Sequence, residues 1–507
     1  MLKISKVINS LFPLTVGSLC FFSNSIYQLP TVLFISLMSY YVEKIYISNQ
    51  GIKFKNKEIL KIFFSSFAYF VSQFHWSIFP LFLDKKFYWI VPFSISLIPL
   101  IHSIILIAFI VFFTKILKSK DSEFNNFKTI ITISFAWFLM ELFRKKLIFT
   151  GFPWHPIGSI ISVSDTFSQI ARIIKIDGLN LLVPFYIVNL FLSMKCLFVK
   201  RKINTLSLIM TIIIPICLSI YGNYRIENNS EYFNVNKNGL KIITIQPNIS
   251  IQDIFDHHKT FDNFIKIIKK TNFCLNNYDA DIVIWPEGSI PYHYEDENEQ
   301  LMDYLSKELY NKNDFILLSG TTISSQNNQF FNSMIGVKVS KKSYKFWQYN
   351  KQILVPYGEY VPLQKYMPKF LESITGYVAS FNSDEDNTLL KIQKNKIELT
   401  VNPLICYESI FSDHPNFKLN KFKIQKEDNK KTTKERKLIV NISNDGWLMN
   451  SIGVYQHALA SKFRAIENNQ PVIRVANGGI GIVYDNLGRE VQKINSDTSG
   501  CIKVVLN

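Results

Sequence analysis

The sequence predicts a multispan α-helical membrane domain over residues 1–225, followed by a layered α/β domain over residues 226–507. Three observations carry this. Apolar runs dominate the first part, so the 48% hydrophobic content is unevenly spread. Beyond Gly239, short apolar strands alternate with amphipathic helices, the pattern of an α/β layered fold. Between the two, the stretch YGNYRIENNSEYFNVNKN at 221–238 is polar and rich in Asn, as a linker should be.

In the first part about seven spans approach the ~20 apolar residues that a bilayer crossing needs. They fall at 8–22, 29–41, 59–79, 88–113, 130–149, 170–194 and 203–220. Apolar runs continue after the first and no small-residue cleavage site follows it, so a cleaved signal peptide is not expected. Positive charge concentrates in alternate loops: Lys3 and Lys6; Lys44, Lys53, Lys55 and Lys57; Lys115, Lys118, Lys120 and Lys128; Lys200, Arg201 and Lys202. That bias puts the N-terminus in the cytoplasm and, after an odd number of spans, the second domain outside. It also explains the net charge of +17 without a nucleic-acid partner. Lys85 and Lys86 depart from the pattern, as do Arg144, Lys145 and Lys146 near the outer end of the fifth span. Glu141 and Arg144, one turn apart, form either a local pair or a plain interfacial anchor.

Six cysteines occur: Cys20, Cys196, Cys217, Cys274, Cys406 and Cys501. Three lie in apolar runs, and no pair has metal-ligand or disulfide-framework spacing, so most are expected as small buried hydrophobes. Only Cys406 sits where chemistry is expected. Candidate strands fall at 240–246, 281–285, 315–319, 333–339, 345–349, 398–405, 438–442 and 472–475. The helix at 260–273 places Phe261, Phe264, Ile265 and Ile268 on one face. In layered sheets, ligand chemistry gathers beyond the carboxyl ends of strands. Three complementary ionisable groups stand there: Glu287 after DIVIWP, Lys351 after KFWQYN and Cys406 after ELTVNPLI.

The strings IWPEGSIPY, NKQILVPYGEYVP, LICYESIF and IVNISNDGWL together resemble the nitrilase (carbon-nitrogen hydrolase) superfamily and its Glu-Lys-Cys triad. The preceding membrane half, with TGFPW at 150–154, narrows the resemblance to the apolipoprotein N-acyltransferase family over nearly the whole chain. The resemblance implies a nitrilase-like α-β-β-α sandwich on the periplasmic side of a bacterial inner membrane. It implies transfer of a fatty acyl group from a phospholipid, through a Cys406 thioester, to a diacylglyceryl-apolipoprotein. Cys406 is then the nucleophile, Glu287 the general base, and Lys351 the oxyanion partner together with a backbone N–H near Tyr407. Glu359 is expected to orient Lys351, and Glu408 to hold the turn or tune the nucleophile. Helix N-terminal polarity is expected to favour the thiolate. Asn444, Asp445 and Trp447 are expected to shape the pocket wall. Trp285, Tyr292, Tyr357 and Tyr407 are candidates for receiving acyl chains.

Some features depart from the family. Phe255 stands where a Trp is frequent, and the Lys-rich segment at 418–437 reads as an inserted, solvated loop. The sequence reaches Asn507 shortly after the last strands, so the closing transmembrane helix familiar in the family is not expected. No metal constellation or phosphate loop is present, so no cofactor is expected, and the chain is expected to act as a monomer. Two alternatives share much of this reading: a membrane-anchored nitrilase-type amidase, and a lipid-binding protein with a relict site.

Overall fold

The computed structural model of the protein describes residues 28–47, 52–83, 85–117, 125–146, 149–200, 205–229, 232–233, 239–291, 293–294, 299–310, 313–325, 329–362, 381–394, 397–419, 422–426 and 434–507. The chain divides into two compact units, Met1–Asn228 and Asn229–Asn507.

The first unit contains α1 (Gln28–Ile47), α2 (Ile52–Phe74), α3 (Val91–Ile116), α4 (Asn125–Lys146), α5 (Ala171–Lys195) and α6 (Thr205–Glu227). These overlap every expected span except that at 8–22, which lies outside the described residues. Among the described residues, four helical stretches are long and apolar enough to cross a membrane: Lys85–Ile116, Asn125–Lys146, Ala171–Phe198 and Thr205–Glu227. α1 and α2 are long enough but more polar, with Glu43 and Lys44 in the first and Lys57, Glu58 and Lys61 in the second.

Polarity in this unit runs opposite to that of a soluble bundle. α3 exposes Phe93, Leu97, Ile104 and Phe112, and α6 exposes Ile212, Ile213, Ile216 and Ile220. Ionisable groups turn inward and pair, Lys195 with Glu43 and Lys145 with Asp177 at 2.9 Å. Hydrocarbon offers a charge no partner, so such groups are tolerated only where protein supplies one. Glu141 and Arg144 are both buried and joined at 2.6 Å, so they are a pair rather than an interfacial anchor. Arg144 also donates to the Trp154 carbonyl at 2.7 Å, and Glu141 accepts from Ile157 N–H at 3.1 Å. The pair therefore fastens the TGFPW loop to α4.

The second unit is an α-β-β-α sandwich. One sheet holds β1 (Leu240–Gln246), β2 (Ile282–Ile284), β3 (His293–Tyr294), β4 (Phe315–Ser324), β5 (Phe330–Val339), β6 (Tyr344–Asn350) and β14 (Gly500–Leu506). Its order is β14-β1-β2-β4-β5-β6, with β3 beside β4. The other holds β7 (Leu389–Lys394), β8 (Ile397–Ile405), β9 (Phe422–Lys426), β10 (Lys434–Asn444), β11 (Val472–Asn477), β12 (Gly481–Tyr484) and β13 (Glu490–Ile494). Its order is β13-β12-β11-β10-β8-β7-β9. The parallel strands β1, β2 and β4, and β8, β10 and β11, form the two centres. Both faces of such strands are covered, which explains their nearly continuous apolar sequences.

One hydrophobic cluster joins the inner faces, with Ile242, Ile282, Met334 and Trp347 of the first sheet and Val401, Val440 and Ile473 of the second. On the first sheet's outer face, α7 (Thr260–Asn277) and α8 (Glu299–Leu309) bring Phe264, Ile268, Met302 and Leu305 against Ile243, Val283 and Leu317. α9 (Ile452–Asn468) packs against β11 and β12.

Three expectations need correction. The buried stripe of α7 runs through Phe264, Ile267, Ile268, Thr271 and Cys274, whereas Phe261 is exposed and packs at a tilt on Tyr304 of α8. The segment at 418–437 is not simply a loop. Phe422–Lys426 alternates apolar and polar residues and pairs in parallel with β7 as an edge strand, its lysines discouraging further pairing. Residues 420–421 and 427–433 lie outside the described residues.

Finally, Cys274 on α7 and Cys501 on β14 form a disulfide across a separation of 227 residues, with Cα atoms 6.6 Å apart. Local spacing carries no trace of it. The bridge ties the last strand to the outer helix layer, and closing so long a loop contributes about 2–4 kcal/mol. Protein taken from cells and alkylated in denaturant without reductant should therefore leave Cys274 and Cys501 unlabelled, both reacting only after reduction. Labelling of both without reduction would show that the bridge does not form in the cell.

Candidate active site

Each sequence-selected triad residue follows the C-terminal end of a strand. Glu287 follows β2 through Trp285 and Pro286, Lys351 follows β6 directly, and Cys406 follows β8 directly. The Glu287 turn lies so close to β4 that a Cβ on Gly320 would stand 2.5 Å from the Glu287 Cα. Only glycine permits that approach.

Cys406 has φ of 51°, the left-handed region that non-glycine residues avoid. Such a residue costs about 1–3 kcal/mol and persists only where its surroundings over-determine it. Glu408 supplies much of that determination. Its carboxylate accepts from Ile405 N–H at 2.7 Å, Gln352 N–H at 2.7 Å, Ile353 N–H at 3.2 Å and the Tyr349 hydroxyl at 2.9 Å. His414 Nε2 lies 3.2 Å away. Burial alone would raise the Glu408 pKa, but His414 and these donors outweigh it and hold the group below its ordinary value. One carboxylate thus links the end of β8 to the turn after β6.

Around Lys351 the charges alternate. Its ammonium is 1% exposed and lies 2.8 Å from Glu359 Oε1 and 3.7 Å from Glu287 Oε1. The side-chain amide of Asn332 donates to both carboxylates, at 2.7 Å each. Val355 N–H holds Glu359 at 2.8 Å, and Asn444 N–H holds Glu287 at 2.8 Å. Burial works against the Lys351 charge, yet the two carboxylates overcome it and raise its pKa, so the amine stays protonated. Burial raises the Glu287 pKa, opposed by Lys351. Burial also pushes the Cys406 thiol up, Glu287 adds to the shift and Lys351 opposes it. At rest the sulfur carries its proton and a carboxylate with raised affinity for protons stands nearby.

The remaining expected residues divide. The buried Tyr407 ring packs edgewise on Phe411 with centroids 5.4 Å apart. Trp285 is fully buried and donates to Thr271, so it does not line an acyl path. Tyr292 lies outside the described residues. Tyr357 is exposed, and Trp447 and Phe255, both exposed, meet edge to face at 4.8 Å. The element after Cys406 is a single 3-10 turn, Cys406–Ile410, too short for much helix polarity, and Lys351 is the charge that favours the ionised sulfur.

Sequence reasoning missed Asn332, His457 and Arg474. Arg474 could have been found, because a charged residue inside the apolar strand VIRVAN demands a partner. Cys406, Asp445 and His457 each bring one ligand-type atom within 4.8 Å of the others. A cation there would face the Arg474 guanidinium, which pairs with Asp445, while both His457 ring nitrogens already have neighbours. The cluster suits an ion-paired support better than a metal.

Residues 16–189 match the family described as apolipoprotein N-acyltransferase N-terminal domain, and residues 243–504 match carbon-nitrogen hydrolase. An apolipoprotein N-acyltransferase of Rickettsia typhi is 30% identical over 85% of this chain and 79% of its own length. That of Rickettsia prowazekii is 30% identical over 93% of this chain and 86% of its own. That of Wigglesworthia glossinidia brevipalpis is 28% identical over 81% and 76%. With both units matched and relatives aligned along most of its length, the chain belongs to the apolipoprotein N-acyltransferase family.

Proposed function

We propose that this protein transfers a fatty acyl group from a membrane phospholipid, through a thioester on Cys406, to the N-terminal amine of the lipidated cysteine of apolipoproteins. The observation that carries this reading is the charge-alternating Glu287–Lys351–Glu359 array beside a strained, half-buried cysteine. In the first step Glu287 takes the Cys406 proton and Sγ attacks the ester carbonyl. The C–S bond forms, the ester C–O bond breaks, and Glu287 returns the proton to the leaving alkoxide. In the second step the amine attacks the thioester, the C–S bond breaks, and the proton lost by the amine passes through Glu287 to the thiolate. Lys351, with the Tyr407 N–H, stabilises the oxyanion of both tetrahedral intermediates. Glu359 and Asn332 position Lys351 and Glu287.

The lysine-rich loops and the Cys274–Cys501 bridge support a catalytic unit outside the cytoplasm, since such bridges persist in oxidising compartments. The four long apolar helices support a multi-pass bacterial inner-membrane protein. The acyl-transfer reading is tested by supplying phospholipid with either a diacylglyceryl peptide or a simple amide. Acyl transfer to the peptide without amide hydrolysis is expected, and hydrolysis alone would instead make the protein an amidase.

Two further outcomes follow from the geometry. Glu287→Gln removes the base and Lys351→Met the oxyanion partner, changes costing about 10²–10⁴ and 10²–10³ in rate. Both variants should form little thioester with phospholipid alone, measured in single turnover with the folded protein in membranes. Normal accumulation of thioester, stalling only when amine is added, would confine the residue to the second step. The pH dependence has a definite sign. The first step needs Glu287 deprotonated, and burial raises its pKa, so the acid limb of the rate profile should lie above the ordinary carboxylate range. Asn332 donates to the charged form, so Asn332→Ala should move that limb to still higher pH. A limb that stays or moves down would contradict the assignment.

A further inference from the structure

α9 carries His457 beneath the nucleophile, almost fully buried. Its Nε2 lies 3.1 Å from the Cys406 carbonyl oxygen, and because a carbonyl only accepts, Nε2 carries the proton. Its Nδ1 faces Asp445 Oδ1 at 3.0 Å and Arg474 Nη2 at 3.2 Å. Arg474 is paired with Asp445, which also accepts from the Ser443 hydroxyl at 2.7 Å. Burial, reinforced by Arg474 and opposed by Asp445, holds the His457 pKa below its ordinary value. The Ser409 hydroxyl supplies a second donor to the same carbonyl at 3.0 Å.

This bond has a directional consequence. The peptide joining Cys406 to Tyr407 is planar and trans, so its C=O and N–H point in opposite directions. Fixing the Cys406 oxygen on the α9 side therefore fixes the aim of the Tyr407 N–H as well. It also holds the left-handed Cys406 backbone, and with it the direction of Sγ. We propose that His457 is a positioning residue whose Nε2–H anchors the Cys406 carbonyl, setting both the sulfur and the Tyr407 N–H for attack. The proposal rests on Cys406 being the nucleophile. Asp445 and Arg474 act one step further out by fixing the orientation of the His457 ring.

The test uses the full chain in membranes with phospholipid alone, and reads the rate of acyl-Cys406 formation and the phospholipid KM. A Gln amide nitrogen reaches roughly the place of Nε2, whereas an Asn amide reaches only that of Nδ1. His457→Asn should lose roughly 10- to 100-fold in rate, the scale of a small misplacement of reacting groups, with KM unchanged. His457→Gln should recover most of the rate. Equal losses in the two variants, or no loss in either, would overturn the proposal. Nitrogen-15 NMR of the wild-type ring adds a readout independent of the variants' folding. A proton on Nε2 is expected, and a bare Nε2 would overturn the proposal. Absence of any acyl-Cys406 in wild type would instead overturn the nucleophile assignment, which separates the two failures.

Discussion

The carboxylate of Glu408 is the constraint on which the site depends. It is buried and ionised, a costly state that is tolerated only where charged and hydrogen-bonding partners replace water. Three backbone N–H groups and the Tyr349 hydroxyl do so, and they come from two different sheets. Satisfying this one charge therefore sets the end of β8 against the turn after β6. The distance between the Cys406 backbone and Lys351 follows from that demand, and the left-handed Cys406 conformation is stable because of it.

The same logic extends outward. Glu287, Lys351 and Glu359 form a buried array in which each charge is the partner of the next, and Asn332 bridges the two carboxylates. Removing any one member leaves another without compensation in a low-dielectric setting, where such a group costs most. A polar cluster of this density would unsettle a small fold. Here the inner hydrophobic cluster of the two sheets and the outer helix layers supply the rigidity that holds it.

Much of this was legible in the sequence, for identifiable reasons. The central strands are buried on both faces, so they appear as apolar runs, and Leu240–Gln246 was located to the residue. Glu287 and Cys406 stood out because each ionisable group follows such a run, and Lys351 because it follows the strand KFWQYN. Asn332 was illegible because a polar residue within FFNSMIGV looks like ordinary strand alternation. His457 was hidden on an amphipathic helix, where a histidine is unremarkable until its neighbours are known. The Cys274–Cys501 bridge depends wholly on tertiary structure. In the first unit hydropathy revealed the helices, and the spacing of Glu141 and Arg144 allowed either a pair or a plain anchor, but only the fold shows them paired and fastening the following loop.

The central claim is that the half-buried Cys406 carries the acyl group on its sulfur between donor and acceptor. Mass analysis of the intact protein, followed by peptide mapping after incubation with phospholipid and no amine, tests it most directly. Wild type should gain a single acyl chain, released by hydroxylamine and mapped to Cys406, and Cys406→Ser should gain none. Acyl transfer that proceeds in Cys406→Ser, or an adduct mapped to another residue, would contradict the account.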